Sequence, residues 1–227
     1  RIVSVEEKPG QPKSNLASMG IYIFTWEILK SYREADERCK DTSHDFGKDI
    51  IPTMLQDDCN LCGYSFQGYW KDVGTVHSLW ESNMDLLEDP PHFNLYDPSW
   101  RIYSRNPIMP PHYIGDSAMV ARALVTEGAE IYGTVTHSVI FAGVTVEEGA
   151  LVVDSVIMPG TVVKRGARVM RAIVGEQAVI GENATIGKLP ENLGDEGAIT
   201  VLGDHVSILP GTIVEVGAVV SYGEDIF

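Results

Sequence analysis

Aliphatic residues recur every six positions after Ile114, and this repeat constrains the fold more than any other feature of the chain. Small residues such as Gly149 and Gly166 stand between the aliphatic ones. A coil with three short flat faces turns one aliphatic side chain inward per face, and stacked coils then share one apolar column. The triplets, whose first members lie seventeen residues apart, are Ile140, Val146, Val152; Ile157, Val163, Val169; and Val174, Ile180, Ile186. The pattern resumes at Leu202, Ile208, Val214 and Val220.

A β-sandwich is the alternative fold for this part of the chain. Its strands alternate with a period of two, and such alternation has no phase that returns every seventeen residues. We therefore predict a β-helix over residues 113–227. Hexapeptide repeats of this kind resemble the left-handed parallel β-helix family, and the left hand is implied by that resemblance.

Residues 1–88 have a different pattern, which predicts a mixed α/β domain. Apolar runs at residues 20–24 and 64–70 are typical of strands. Helical spacing is present over residues 26–38, 46–55 and 73–87, with Pro52 interrupting the second of these segments. Six prolines fall in residues 89–112, so we predict an extended linker there.

The composition excludes several classes of partner. The 227 residues carry a formal net charge of −15, which argues against nucleic acid or an anionic membrane as a partner. No apolar run is long enough to cross a bilayer, and three sparse cysteines are typical of a reducing cytoplasm. The chain starts at Arg1 instead of Met, with residues typical of the middle of a strand. We therefore expect further sequence upstream.

Four short segments carry residues suited to a sugar phosphate or to its metal. In Glu7-Lys8-Pro9, a carboxylate can accept hydrogen bonds from sugar hydroxyls while the lysine places a positive charge against a phosphate. Ser18 and Gly20 lie before a predicted strand, where small residues let a ligand approach the backbone. Residues 43–45, Ser-His-Asp, are also a typical helix N-cap. Asp72 follows a predicted strand, and with phosphates and a second aspartate it would suit magnesium.

The order of these motifs resembles that of the bacterial glucose-1-phosphate adenylyltransferases, or ADP-glucose pyrophosphorylases. The resemblance covers essentially the whole chain. The motif most specific to this family is Ser-His-Asp-Phe-Gly-Lys-Asp at residues 43–49. It implies an α/β partial nucleotidyltransferase domain of Rossmann-like type in residues 1–88, a linker in 89–112 and a left-handed β-helix in 113–227.

The resemblance also implies the roles of individual residues. Lys8 and Asp72 would be catalytic, and Asp72 would be one of two aspartates that hold Mg²⁺. The implied reaction makes ADP-glucose and pyrophosphate from ATP and glucose 1-phosphate, for glycogen synthesis. It requires Lys8 and Asp72 to face one cleft. The implied residues of the sugar-phosphate site are Glu7, Lys8, Ser18, Tyr22, Asp45, Phe46 and Trp70.

One feature departs from the family pattern. The family's Gly-rich nucleotide loop lies upstream of these motifs, and residues 1–100 contain no such loop. We therefore expect weak sugar-phosphate binding, with no turnover, from the 227 residues alone.

Other functions stay open on the sequence. One is a non-catalytic regulatory or scaffold subunit of the same family. Another is a hexapeptide acyltransferase, with His137 as general base, although a solvent-exposed corner residue is the simpler interpretation. A third is a related enzyme that uses GTP and mannose 1-phosphate.

The resemblance implies a homo- or hetero-tetramer controlled by a phosphorylated allosteric effector. Basic residues near the junction of the two domains could meet such an effector, although each could equally be solvated surface. They are Arg101, Arg105, Arg122, Lys164, Arg165 and Arg171.

Overall fold

The computed structural model describes residues 1–103, 107–189 and 197–222. The chain divides into two compact units, Arg1–Trp70 and Lys71–Phe227. Each unit is described by itself below. The domain limits at residues 88 and 112 stay predictions.

The first unit is helical. Helix α1 spans Trp26–Arg38, the range that the sequence predicts, and none of its residues is buried. Local charge pairing suits such an exposed helix, because Glu34 lies one turn from both Lys30 and Arg38. Glu27 in the first turn and Arg38 in the last turn also oppose the helix dipole favourably.

The second helical segment of this unit has two parts. A π-helical turn covers Phe46–Ile50, and helix α2 follows directly at Ile51–Gln56. Pro52 stands in the first turn of α2, where a missing backbone N–H costs no hydrogen bond. The change of helix type therefore falls just before the proline. The buried apolar residues here are Ile50, Ile51 and Met54.

The two strands predicted in the first unit are wrong. Residues 20–24 and 64–70 form no strand. A strand requires a second strand as hydrogen-bond partner, and residues 1–70, all of which are described, contain none. Ile23 is 99% exposed, so its apolar side chain has no core to enter in this structure.

The second unit begins with a short helix. Helix α3 spans Val76–Met84 and continues into a 3₁₀ turn at Asp85–Leu87. Thr75 and Ser78 form a capping box at its start, which explains why the helix begins three residues later than the predicted position 73. The described part of residues 88–112 contains neither helix nor strand.

The remainder of the second unit is a parallel β-solenoid. Its sixteen short strands, within the described residues, are β1 (Tyr113–Ile114), β2 (Met119–Val125), β3 (Glu130–Ile131), β4 (Thr134–Ile140), β5 (Thr145–Val146), β6 (Leu151–Val153), β7 (Val156–Ile157), β8 (Val162–Val163), β9 (Arg168–Met170), β10 (Ala172–Val174), β11 (Val179–Ile180), β12 (Thr185–Ile186), β13 (Thr200–Leu202), β14 (Ser207–Ile208), β15 (Ile213–Val214) and β16 (Val219–Val220).

All strand pairs are parallel, and they line three faces. One face is the sheet β1-β3-β5-β8-β11-β14. The long strand β4 links the other two faces, since its first half pairs with β6 and its second half with β7. The register advances by one coil per period, as in Val146↔Val163 and Val163↔Ile180. The three-faced coil inferred from the repeat is therefore confirmed, whereas its handedness stays a prediction.

The aliphatic column fills the solenoid. All thirteen repeat positions named above are buried, from Ile140 through Val220, with at most 3% of any side chain exposed. They belong to one continuous apolar cluster, with small residues such as Ala150 and Ala167 at the corners. The six-residue period thus predicted thirteen positions of the core correctly.

One corner of the solenoid carries charged residues with left-handed backbone. Arg122, His137, Asp154 and Arg171 have φ between 45° and 50°. They stand at equivalent positions of successive coils, as the pairing on either side of each shows. We call these four residues the corner column.

Candidate functional site

Three of the predicted sugar-site residues, Ser18, Tyr22 and Phe46, belong to a cluster of aromatic rings and hydroxyls in the first unit. The rings of Tyr22 and Phe46 stack with centroids 6.0 Å apart and an interplanar angle of 17°. Phe24 lies 5.9 Å from each of them. The Tyr22 hydroxyl is 3.1 Å from Ser18 Oγ. The result is a half-exposed aromatic group edged by two hydroxyls, and such a surface suits a sugar ring.

Asp45 begins the π-helical turn next to this aromatic group. Its Oδ1 accepts hydrogen bonds from the backbone N–H of Gly47 at 2.7 Å and of Lys48 at 2.9 Å. Asp45 is therefore the N-cap that the sequence suggested. Further along the turn, Asp49 accepts from the Ser43 hydroxyl at 2.7 Å. That bond, with backbone donors from Asp45 and Ser43, lowers the pKa of Asp49.

Glu7 reaches the same turn from the N-terminal segment. Its Oε2 lies 2.7 Å from the point that a Cβ on residue 47 would occupy. Because Gly47 has no side chain, the carboxylate can rest against the turn. Lys8 Nζ is 3.9 Å from Glu7 Oε1, and the lysine side chain is 89% exposed. The first unit thus places the Glu7 carboxylate and the exposed Lys8 ammonium beside a turn that carries Asp45 and Phe46.

The structure therefore brings together five of the predicted residues, namely Glu7, Ser18, Tyr22, Asp45 and Phe46. Lys8 accompanies Glu7. Trp70 is the last residue of the first unit, and its side chain is 43% exposed. Their roles in binding stay predictions.

Asp72 lies in the second unit, and the predicted common cleft with Lys8 stays a prediction. The Asp72 side chain is exposed, and its Oδ1 accepts a hydrogen bond from Gly74 N at 3.0 Å. Among the described residues, no group of three or more His, Cys, Asp or Glu side chains could hold a metal ion. A single exposed carboxylate fits Mg²⁺ when substrate phosphates and water supply the other oxygens.

His137 differs from the expected solvent-exposed corner residue. It does stand at a corner, but its side chain is only 22% exposed and its Nδ1 lies 2.6 Å from Asp154 Oδ1. The reason is the seventeen-residue coil, which stacks position 137 directly on position 154. The pair faces Trp80, whose indole N–H donates to the Asp154 carbonyl oxygen at 2.7 Å.

The basic residues proposed for an effector are mostly engaged in contacts of their own. Lys164 and Arg165 pair with Glu147 and Glu148, at 2.8 Å and 3.1 Å. Arg122 lies 3.8 Å from Glu88. Arg171 stacks on Trp80, and Arg101 is exposed. Arg105 lies outside the described residues.

Two further findings bear on the class of protein. None of the helices in the described ranges is long and apolar enough to cross a membrane. Cys39, Cys59 and Cys62 are free thiols.

The sequence reasoning missed several residues that organise these sites. Gly47 gave no signal beyond its place in a motif. Lys71 bonds to Asp85, fourteen positions away, and no helical or strand period connects the two. The contact of His137 with Asp154 could have been found, because their separation equals the coil period.

The comparisons with known proteins match two different families to two parts of the chain. Residues 1–89 match the family described as nucleotidyl transferase. Residues 111–209 match the family described as GlmU-like, C-terminal hexapeptide. The chain is therefore a nucleotidyl transferase segment followed by a hexapeptide-repeat segment.

Curated relatives narrow this class. A glucose-1-phosphate adenylyltransferase of Acetivibrio thermocellus is 45% identical over 218 residues, which cover 93% of this chain and 51% of the relative. Those of Bacillus cereus and Bacillus mycoides are 60% and 59% identical over 153 residues, which cover 67% of this chain and 41% of each relative. The chain belongs to the glucose-1-phosphate adenylyltransferase family, and it spans about half the length of these relatives.

Proposed function

We propose that this chain supplies the sugar-phosphate side of an enzyme that makes ADP-glucose and pyrophosphate from ATP and glucose 1-phosphate, for glycogen synthesis. The names of its relatives support this reaction. The observation that carries the proposal is the placement of Glu7 against Gly47, beside Asp45 and the stacked rings of Phe46 and Tyr22. That arrangement offers acceptors, an aromatic surface and a nearby cation to one small ligand.

The residues of the first unit would share the work of holding glucose 1-phosphate. Glu7 accepts hydrogen bonds from sugar hydroxyls, and the Lys8 ammonium lies against the phosphate. Ser18, Tyr22, Asp45, Phe46 and Trp70 complete the pocket. A phosphate oxygen of the sugar then forms a bond to the α-phosphorus of ATP, while the bond to pyrophosphate breaks. Alignment and charge neutralisation dominate such a reaction, and Lys8 contributes to both.

Magnesium enters the proposal through Asp72. The carboxylate has the hard oxygens that Mg²⁺ prefers, and its side chain is exposed. When bound, Mg²⁺ would neutralise charge on the phosphates. Asp72 would hold it as one of two aspartates.

The remaining partners are also proposals. ATP would be bound mostly outside the residues described, since residues 1–100 contain no Gly-rich loop. A phosphorylated effector and assembly into a tetramer follow from the family. Arg101, which is exposed, is a candidate for contact with the effector.

Binding of glucose 1-phosphate by the 227-residue chain tests the sugar site. We expect measurable heat on titration with wild type and roughly tenfold weaker binding after Lys8→Ala, because one charge-assisted contact is lost. Lys13→Ala is the matched control, since Lys13 lies in the same segment but pairs with Glu6. Equal binding by wild type and Lys8→Ala would contradict the proposal and favour a non-catalytic scaffold.

Turnover can be tested in a chimera. The part of the Acetivibrio relative that this chain matches is replaced by this chain, and pyrophosphate release is assayed with ATP and glucose 1-phosphate. We expect activity that Asp72→Asn reduces by about two orders of magnitude or more, as expected when electrostatic stabilisation is removed. We also expect none from the 227 residues alone. An inactive chimera would count against the proposed reaction.

A further inference from the structure

Helix α3 is fixed to the solenoid through Trp80. The indole is 8% exposed, and its N–H donates to the Asp154 carbonyl oxygen at 2.7 Å. The Arg171 guanidinium lies 4.4 Å from the centre of the indole ring, within the range of a cation–π contact. Arg171 is itself held, because its Nε donates to the Gly197 carbonyl oxygen at 3.0 Å. Asp154 and Arg171, two members of the corner column, therefore both contact the Trp80 side chain.

Apolar packing strengthens this attachment. Trp80 and Met84 form a second buried cluster with Val156 and Ile173 of the solenoid. Leu79 and Leu87 pack against its margin. This buried apolar cluster and the indole hydrogen bond together hold α3 firmly against the solenoid.

Lys71 links the segment that precedes α3 to the C-terminal end of that helix. Its Nζ lies 2.7 Å from Asp85 Oδ2 and 3.0 Å from Glu81 Oε2. The Lys71 and Asp85 side chains are 22% and 20% exposed, so this contact is more shielded than an ordinary surface ion pair.

Asp72 is thus held from both sides. On its amino side, Lys71 is anchored along α3. On its carboxyl side, Asp72 Oδ1 accepts from Gly74 N at 3.0 Å, and Thr75 caps the helix with Ser78. Among the described contacts, Asp72 makes none with Glu81 or Asp85, the two α3-region side chains that hold Lys71. The contact that the structure gives its carboxylate is the hydrogen bond from Gly74 N–H.

We propose that Lys71 is a positioning residue, which fixes the Asp72 carboxylate through α3 and so makes the solenoid part of the frame of the metal and phosphate site. The inference rests on the proposed function for the role of Asp72. The placement itself rests on the contacts within residues 71–222.

Backbone order parameters from NMR relaxation test the placement in the 227-residue chain. In wild type we expect residues 72–74 to be as rigid as a helix, with order parameters of about 0.85. In Lys71→Met we expect values below about 0.6 at residues 72–74, whereas α3 keeps its rigidity because Trp80 and Met84 remain packed. Lys71→Arg should restore order, since its guanidinium can still donate to both carboxylates.

Two controls separate positioning from general loosening. Lys164→Met removes another half-shielded lysine that pairs with a glutamate in a different coil, and it should leave residues 72–74 unchanged. Trp80→Phe should lower the order of α3 and of residues 72–74 together, because it removes the bond to Asp154. Unchanged order at residues 72–74 in Lys71→Met would overturn the proposal. Equal loss of order throughout α3 in that variant would overturn it as well.

The chimera connects the placement to chemistry. Lys71→Met should raise the Mg²⁺ concentration for half-maximal rate roughly tenfold, as expected for one lost charge-assisted contact, with little change in the KM for glucose 1-phosphate. An unchanged Mg²⁺ dependence would overturn the role of Lys71. An inactive wild-type chimera would instead count against the proposed reaction, and the order parameters would still decide the placement of Asp72.

Discussion

The two units of this chain obtain their structure in opposite ways. In Arg1–Trp70, all of it described, the buried apolar residues are Ile50, Ile51 and Met54, and helix α1 buries none. In the solenoid, an apolar column runs from Ala129 to Val220. The first unit combines local contacts, such as caps and charge pairs within a helix, with a few long-range contacts such as the hydrogen bond from Tyr32 to Asp57. The solenoid relies on contacts between residues one coil apart.

The difference explains where each unit can carry chemistry. In the solenoid the aliphatic side chains are committed to this packed column, and the polar pair His137 and Asp154 lies at a corner. The sparsely buried first unit keeps Glu7, Lys8 and Tyr22 accessible to a ligand. The solenoid therefore suits the role of a support, and the first unit that of a binding surface.

Truncation of a core side chain should show the largest contrast between the units. Ile157→Ala should lower the free energy of unfolding by about 2–5 kcal/mol, because it leaves a cavity in the column. Ile23→Ala, at a side chain that is 99% exposed, should change it by less than about 0.5 kcal/mol. Urea unfolding followed by far-UV circular dichroism measures both. Similar losses of unfolding free energy in the two variants would contradict this contrast between the units.

An added methyl group at Gly47 should affect binding much more than stability. The new Cβ would stand 2.7 Å from Glu7 Oε2, and the flexible carboxylate can move away at little cost in folding free energy. Its loss from the site should weaken glucose 1-phosphate binding roughly tenfold, as expected for one hydrogen bond to a charged group. Gly10→Ala is the control, because nothing lies within 4 Å of its new Cβ. Equal binding by Gly47→Ala and wild type would show that Glu7 does not act from this position.

Acidification should give the smallest effect, and it probes the contact between coils. The hydrogen bond from Lys164 lowers the pKa of Glu147 below the 4.5 of an unperturbed glutamate. A depressed folded-state pKa means that this stabilisation is complete above pH 4.5 and is lost as the pH falls through the lower folded value. Because the pair is partly exposed, we expect about 0.2–1 kcal/mol. Urea unfolding of Glu147→Gln should therefore depend less on pH in this acidic range than wild type does.

Glu148→Gln provides the comparison for the acid experiment. Glu148 pairs with Arg165 at 3.1 Å, but its side chain is 58% exposed, so loss of this surface ion pair should change the free energy of unfolding little. A weaker pH dependence in Glu148→Gln than in Glu147→Gln would contradict the assignment.

The success of sequence reasoning followed the same division. Helix α1 was predicted to the residue, because its hydrogen bonds and charge pairs lie within its own segment. All thirteen column positions named from Ile140 to Val220 were predicted, since a fixed coil turns a linear period into neighbours, whereas Ile131, Val135 and Val144 of the same cluster were not. The strands at residues 20–24 and 64–70 were wrong, because a run of apolar residues says nothing about whether a partner strand stands beside it.

Contacts between the solenoid and elements outside its period could not be predicted. Trp80 meets Asp154 and Arg171, yet no spacing connects a helix before the linker with a corner of a later coil. The grouping of Glu7 with Gly47 depends on how two loops approach each other. Motif order suggested that these residues belong to one site, but only coordinates supply the contact.

The strand pairing across residues 187–199 has a wider consequence. Val174 still pairs with Leu202, although more chain intervenes there than between the earlier triplets. The column therefore stays in phase although extra residues separate two of its strands. Insertions between strands would leave the column of a related chain aligned, whereas a single residue gained within a face would misalign every coil that follows.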